Sequence, residues 1–401
     1  MIQEVALARK VTFYCGDHLL AFDSLVIAAD FTRLPYSKAD GVAHHWKFYL
    51  DPQHTVAEFI RRRGQGEDMH HIVGIIKLLS VTVGRDATRP EDKIHGLYGC
   101  AKRLGLNWPI PDYTKSVAEV YTEVTTACLN ETGTLDVLVM FAEGAAAAEF
   151  ELPSWVPNFS TSTAVASSAG PRTWYIPTRE NKWISGRSQC RWSILPGGRR
   201  LKVLGRRLDQ IATVSEPWNV DASTTLLGGA SENSGQIFES LIDCVPSWVV
   251  VVLQRDQRDD HGRSAADGHM AMQDLARLLA NGRPKCAGPY TQILEDLRGL
   301  INCASDPQGA VRSVMRIYEH ITHMMWKSVF RTSTKNYVGV GSSSCSPGDL
   351  VVIFHGMSVP CVIRPCPEGF TFVRAAFVDG IMDGEFWSAG SDADDEWFVL
   401  I

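Results

Sequence analysis

Asp392, Asp394, Asp395 and Glu396 gather four carboxylates near the C-terminus. Such a cluster could hold a divalent cation. It lacks the glycine and the twelfth-position glutamate of an EF-hand loop, and reads as a solvated turn. Glu319-His320-Ile321-Thr322-His323 sets its two histidines at i and i+3 on a helix. A zinc-protease helix needs His-Glu-x-x-His, with the ligands at i and i+4, so this stretch reads as a partly exposed helical face. His44-His45 and His70-His71 are adjacent pairs whose side chains diverge on regular structure, and neither pair makes a metal site alone.

Gly339-Val340-Gly341 opens like a dinucleotide loop, but position 344 is serine and the context is a strand rather than a strand-to-helix turn. Gly-x-Ser-x-Gly is absent. Glu4, beside Gln3 near an expected domain edge, reads as a helix-surface carboxylate. The ten cysteines, Cys15, Cys100, Cys128, Cys190, Cys244, Cys286, Cys303, Cys345, Cys361 and Cys366, include no Cys-x-x-Cys pair, so a zinc ribbon or redox motif has no support. They read as reduced thiols of a cytosolic protein, mostly buried as small hydrophobes. The residues thus predict no catalytic, cofactor-binding or metal-ligating set, and no cofactor.

The elements that would position any site follow from pattern. With 401 residues, 45% hydrophobic and 21% charged, the chain can build two to three cored domains. Its 39 basic and 45 acidic side chains leave a net charge of -6, so no global basic field draws nucleic acid or membrane. Arg61-Arg62-Arg63, Arg199-Arg200 and Arg206-Arg207 are local exceptions, read as solvated helix ends or strand edges. The longest apolar run, Trp248 to Leu253, is far too short for a membrane span of roughly 20 residues.

Residues 1–34 read as helix, strand (Val11–Cys15), turn at Gly16-Asp17 and a second helix from Phe22. Packing-grade sequence starts at residue 2, so the chain is expected to lack the front of its first domain. The strand 11–15 is then expected at an edge or surface with an exposed apolar patch. Residues 35–160 read as helical. Ile72, Val73, Ile75, Ile76, Leu78 and Leu79 mark a central helix. Thr88-Arg89-Pro90-Glu91 predicts a capped helix over 90–104 that stops at Gly105, and Ser116-Val117-Ala118-Glu119 predicts a second capping box.

Strands are expected at Trp183-Ile184, Trp192–Leu195, Leu201–Leu204 and Gln210–Val214, with a Pro196-Gly197-Gly198 turn. Residues 235–330 return to helix, with a loop over 254–270 and a last helix carrying Val311, Val314, Met315, Tyr318, Met325 and Val329. After Phe330 come short strands, Leu350–Phe354, Cys361–Arg364 and Phe370–Val378.

Several stretches, in order, resemble the fungal heterokaryon incompatibility family. Ile2-Gln3-Glu4-Val5-Ala6-Leu7-Ala8 with Cys15-Gly16 is similar to the close of that family's signature domain. Pro90-Glu91-Asp92-Lys93-Ile94 with Leu97 and Gly99, Pro111-Asp112-Tyr113, Val120-Tyr121 and Leu152-Pro153-Ser154-Trp155-Val156-Pro157 resemble the helical region after it. Gly348-Asp349-Leu350-Val351, Gly356, Val359-Pro360, Arg364 and Gly380-Ile381-Met382-Asp383-Gly384-Glu385 resemble the C-terminal strand region. The family's aromatic-Ala-Leu-Ser-Tyr-x-Trp-Gly and Trp-Ile-Asp-x-x-Cys-Ile-Asn stretches are absent. Arg89 stands where the family has aspartate, and His95-Gly96 where it favours aromatic-Ala.

The resemblance implies a cytoplasmic, non-enzymatic interaction protein of self/non-self recognition and cell death, incomplete at its N-terminus, with other proteins as partners. The alternatives are a fragment of a death effector whose nucleotide-directed activity lies in a missing front part, or an enzyme with a pocket between helical and β domains. The expected fold is α+β: a helical region plus a small antiparallel β-barrel or sandwich built from two separated strand regions. The expected division is 1–34 domain remnant, 35–160 helical domain, 161–234 first strand half, 235–330 helical insertion, and 331–401 second strand half. Leu201–Leu204 or Gln210–Val214 are expected to pair with the C-terminal strands.

Overall fold

The computed structural model describes residues 2–8, 10–21, 24, 60, 75, 78–79, 87–139, 150–160, 184–186, 188–219, 234–253, 265–279, 290–301, 308, 312–313, 324–390 and 392–401. The chain forms two compact units. One holds Met1–Gly133, Ala146–Leu152 and Val156–Ala166; the other holds Thr134–Ala145, Pro153–Trp155 and Ser167–Ile401.

The first unit opens with α1 (Ile2–Leu7) and a hairpin of β1 (Thr12–Cys15) and β2 (His18–Ala21), turned at Gly16-Asp17. The strand β2 falls where only a turn and a helix are expected. Of the expected second helix Ser24 is described, and it is helical. Among the described residues β1 pairs with β2 alone, and Tyr14 and Leu19 are 79% and 63% exposed. Within the helix expected over 72–79, the described Ile75, Leu78 and Leu79 are helical and buried, while Ile72, Val73 and Ile76 lie outside the described residues.

In place of one helix over 90–104 there are two, α2 (Asp92–His95) and α3 (Tyr98–Arg103). The break falls at Gly96-Leu97, where Leu97 N–H bonds back only three residues, to Ile94 O at 3.0 Å. Thr88 does not cap. The N-cap position is Glu91, whose carboxylate is taken by Arg89 Nε at 2.8 Å rather than reaching back to a threonine. The helix α4 (Val117–Thr132) does carry its capping box: Ser116 N–H donates to Glu119 Oε2 at 2.8 Å, and Glu119 N–H to Ser116 Oγ at 3.3 Å. Its face Val120, Tyr121, Val124, Cys128 and Leu129 is buried with Ile94, Leu97, Ala101 and Leu104. The Tyr121 ring meets Phe159 edge-on at 5.0 Å, and its hydroxyl donates to Pro90 O at 2.9 Å.

Among its described residues the second unit contains a 3-10 turn (Asp136–Val139) and a sheet with nine strands. These are β3 (Trp192–Ile194), β4 (Leu201–Val214), β5 (Lys327–Thr332), β6 (Val338–Ser342), β7 (Leu350–Phe354), β8 (Cys361–Cys366), β9 (Gly369–Ala375), β10 (Phe377–Val378) and β11 (Asp395–Leu400). Among the described residues its helices include α5 (Ser234–Leu253), α6 (Ala265–Leu279), α7 (Tyr290–Ile301) and the short α8 (Glu385–Ala389). Among the described residues no helix is long and apolar enough to cross a membrane. Helices and a large mixed sheet together make the chain α+β.

Leu201–Leu204 and Gln210–Val214 are one strand of 14 residues, not two. The residues between them, Gly205-Arg206-Arg207, look like a break but carry ladder bonds. A side chain at Gly205 would lie 2.7 Å from Ile353 O, so only glycine lets β7 approach. The strand β4 pairs with β3 and β11 along its first half, with β7 over Gly205–Gln210, and with β5 over Ile211–Val214. From β4 the pairings pass through β11, β9, β8 and β7 and return to β4. Each step is antiparallel except β11–β9, a single parallel pair, Leu400 with Phe370. A branch of β5, β6 and β10 extends from the other half of β4.

The parallel seam is bridged by Ser154. Ser154 Oγ accepts Phe372 N–H at 2.9 Å and donates to Ile401 O, which also accepts Ser154 N–H at 2.8 Å. Trp155, fully buried, donates Nε1–H to Arg199 O at 3.1 Å.

Three further readings change. Ile184 lies in a turn, and Trp183 is outside the described residues. Helix α6 begins at Ala265, inside the expected loop, because Met272, Leu275, Ala276 and Leu279 give it a buried face. Met325 and Val329 are not helical: Met325 bridges Trp218, and Val329 lies on β5. This strand is buried from Ser328 to Thr332 on both faces, so its sequence shows no alternation. The strand packs on α5–α7, where Trp218, Trp248, Leu275, Leu297 and Val329 share one core. Arg331 seals the junction: its guanidinium donates to Val251 O at 2.9 Å and to Val252 O, the carbonyl end of α5.

Candidate functional site

The acidic run is not a solvated turn throughout. Asp392–Asp394 form an exposed 3-10 turn, but Asp395 and Glu396 begin β11, whose register sets Asp395 opposite Arg206. Arg206 is buried, against the sequence reading. It donates Nε–H to Asp395 Oδ1 at 2.7 Å, Nη2–H to Asp392 Oδ1 at 3.3 Å and Nη1–H to Trp387 O at 3.2 Å. Its guanidinium also lies 4.1 Å from the Trp387 ring centre. His355 Nε2 is 3.0 Å from Asp395 Oδ2, and its ring meets Trp387 edge-on at 4.7 Å. Burial opposes ionisation of Asp395, but the hydrogen bonds from Arg206 and His355 outweigh it and hold the carboxyl below its usual range. Sequence reasoning missed this network. Alternation along β4 sends Arg206 inward and Arg207 outward, and that signal needed β4 recognised as one strand.

Arg207 is exposed and forms a two-point pair with Glu396, 3.1 Å at each contact. It stands at the mouth of a cleft of about 530 Å³ whose walls include Lys335, Tyr337, Ile381, Glu385, Phe386 and Asp394. Lys335 sits on the β5–β6 turn. That turn is held by Asp209 of β4, whose carboxylate accepts Lys335 N–H at 2.6 Å and Thr334 N–H at 3.0 Å. Burial works against the Asp209 charge, yet these backbone donors and that of Gln210 keep its carboxyl below the usual range. The Lys335 ammonium lies 4.6 Å from the Phe386 ring centre.

Other residues singled out in the sequence serve the fold. Gly339 and Gly341 lie on β6: a Cβ on Gly339 would come 2.4 Å from Phe330 Cζ, and on Gly341 2.6 Å from Cys345 Sγ. They make room for a buried ring on a strand. Asp349 is buried and takes Arg364 at both oxygens, 2.8 and 3.0 Å. Its own hydrogen bond raises Arg364 above its usual range. Asp136 is buried, accepting Ser358 N–H at 2.9 Å and Ser358 O–H at 2.8 Å; burial pushes its carboxyl up to about 6.

Burial lifts Cys100 to about 11 and Cys190 and Cys244 to about 12, which keeps these thiols neutral. Glu4 is exposed on α1. His44, His45, His70, His71, His320 and His323 lie outside the described residues. Among the described residues no hydroxyl or thiol hydrogen-bonds the His355 ring, and no group of three His, Cys, Asp or Glu is set to hold a metal ion.

Residues 310–400, from ahead of β5 through β11, match the model of the Het-6 beta-barrel domain. The chain is 24% identical to "Heterokaryon incompatibility protein 6, OR allele" of Neurospora crassa over 458 aligned positions, covering all of this chain and 65% of that protein. The chain is thus similar along its length to a fungal heterokaryon incompatibility protein. It spans 65% of the length of the curated relative it matches. No solved structure matches it. The strand β4, at 201–214, lies outside the Het-6 match yet pairs with three of that domain's strands, β5, β7 and β11.

Proposed function

We propose that this chain is an interaction protein of heterokaryon incompatibility, acting in the cytoplasm in self/non-self recognition that leads to cell death. Its recognition module is the Het-6 domain with β4 added, a small barrel that β4 closes between β11 and β7. In this reading the helices of 235–330 are an insertion between the two halves of the β domain. The observation that carries the function is the Het-6 match over residues 310–400, together with the relatedness to a heterokaryon incompatibility protein along the whole chain. The chemistry of the unit supports a binding role. Three of its buried ionic groups are spent on fixing backbone: Asp209 on one turn, Asp136 on the β7–β8 loop, Arg331 on a helix end. Its perturbed thiols are pushed away from nucleophilic character.

The test is expression of the chain in fungal strains that differ in incompatibility alleles. Growth is expected to fall in some allelic backgrounds and not in others, and an Arg206→Met chain should lose the effect. Equal growth in every background would overturn the reading.

A further inference from the structure

We propose that β11 pairs edge to edge with β11 of a second copy of this chain, antiparallel and centred on Trp397. This goes beyond the recognition reading above and does not rest on it. Three observations lead to a second copy.

The first is a free backbone edge. Leu204 of β4 gives its N–H to Arg191 O and accepts His355 N–H at its own carbonyl, 3.0 Å each, so both groups point away from β11. Successive residues of a strand turn their backbone groups to opposite sides, so Leu201, Val203 and Gly205 face β11. The register sets Leu400, Phe398 and Glu396 opposite them. The N–H and C=O groups of Asp395, Trp397 and Val399 therefore point to the other side. Ile401 continues that alternation and donates its N–H outward to Phe370 O at 3.0 Å. There β9 meets β11 at Leu400 only, because it begins at Gly369 and runs parallel, away from Trp397. Among the described residues no backbone group pairs with Trp397 on that side.

The second is what this edge lacks. Exposed strand edges are usually blunted by proline, lysine or a bulge. The strand Asp395-Glu396-Trp397-Phe398-Val399-Leu400 has neither residue, and its register on β4 has no shift. The Trp397 ring is 48% exposed even with the Lys202 ammonium 4.6 Å from its centre, so a large apolar surface stands beside the free amides.

The third is self-complementarity. A two-fold axis at Trp397 exchanges both of its backbone bonds with Trp397 of the second copy, and lets each Val399 N–H reach Asp395 O across the axis. The two Trp397 rings become a cross-strand aromatic pair. Asp395 then lies opposite Val399, and Glu396 opposite Phe398, so no like charges are opposed. An axis at Glu396 would oppose two carboxylates. An axis at Phe398 would bring Asp395 against Ile401, whose N–H Phe370 already holds.

The test is sedimentation equilibrium of the full chain from about 1 µM to 1 mM, the range expected of a small interface. The mass should rise toward twice that of one chain. Trp397→Lys and Trp397→Glu each set like charges across the axis and should each weaken association at least about tenfold, and an equimolar mixture of the two should restore it to within about fivefold. In the wild type, amide exchange at Trp397 and Val399 should be faster than at Glu396 and Phe398 when dilute, and slow as the chain is concentrated. A wild type that stays monomeric would overturn the proposal and leave the edge to a strand of another protein. A dimer that survives both substitutions, a mixture that fails to restore it, or Trp397 and Val399 amides already protected in the monomer would each overturn it as well.

Discussion

The Ser154 hydroxyl accepts the backbone N–H of Phe372 at 2.9 Å, tying a segment from the middle of the chain to β9. The same hydroxyl donates to Ile401 O, at the end of β11. The two strands otherwise meet through one parallel pair, so Ser154 staples the weakest joint of the sheet. Ser154→Ala leaves the Phe372 N–H without its acceptor, while Ile401 O keeps the Ser154 N–H. The expected loss is about 1–3 kcal/mol in urea unfolding, with faster amide exchange at Phe372. An unchanged midpoint would mean that water replaces the hydroxyl without cost.

Arg206→Met removes the cation that Asp395 and Trp387 share. Breaking a buried pair from one side costs roughly 3–5 kcal/mol. The sign with pH follows from the depressed carboxyl of Asp395. Such a group contributes stability that is present above its unfolded value, near pH ~3.9, and is lost as pH falls through its folded value. The variant, which keeps the His355 bond, should therefore have a shallower acid-side slope below about pH 4 as well as a lower midpoint, which urea titrations at several pH values would show.

Asp136 gives the opposite sign. Its folded value, about 6, stands above the unfolded one, so the folded state holds the extra proton between about pH 4 and 6 and stability falls as pH rises through that window. Asp136→Asn keeps an acceptor for Ser358 and removes the titration. The fall in unfolding free energy that Asp136 causes between about pH 4 and 7 should disappear, with the variant gaining up to about 3 kcal/mol relative to wild type on the neutral side. A wild-type profile already flat there would contradict a carboxyl whose burial outweighs its two hydrogen bonds from Ser358.

Leu97 sits at the joint between α2 and α3 and is 1% exposed. Leu97→Ala is expected to cost roughly 2–5 kcal/mol. Thermal or urea unfolding checks this, and a loss under about 0.5 kcal/mol would mean that the joint repacks without it.

Much of the local structure was legible. The Ser116–Glu119 box, the Gly16-Asp17 and Pro196-Gly197-Gly198 turns and the strands Leu350–Phe354 and Cys361–Arg364 follow from turn chemistry and periodicity. What was not legible depends on neighbours. Gly205 looks like a strand break unless β7 is known to press on it. Val329 continues a helical spacing until the two-sided burial of β5 is known. Thr88 has a capping partner in sequence, but Arg89 takes that partner first.

The site was hidden for the same reason. Asp395 and Arg206 are far apart in sequence, and the register of β4 on β11 brings them face to face. Lys335 is one lysine among many until Asp209 is seen holding its turn.

The most direct measurement of whether β4 and the Het-6 strands are one structure is native-state amide exchange on the intact chain with increasing denaturant. The amides of Val203, Leu208 and Ile211 on β4 should open with the same free energy and the same denaturant dependence as those of Val351, Val362 and Phe398. Exchange of β4 at a distinctly lower free energy, while β7, β8 and β11 stay protected, would show that β4 merely leans on a domain complete without it, and would contradict the proposed barrel.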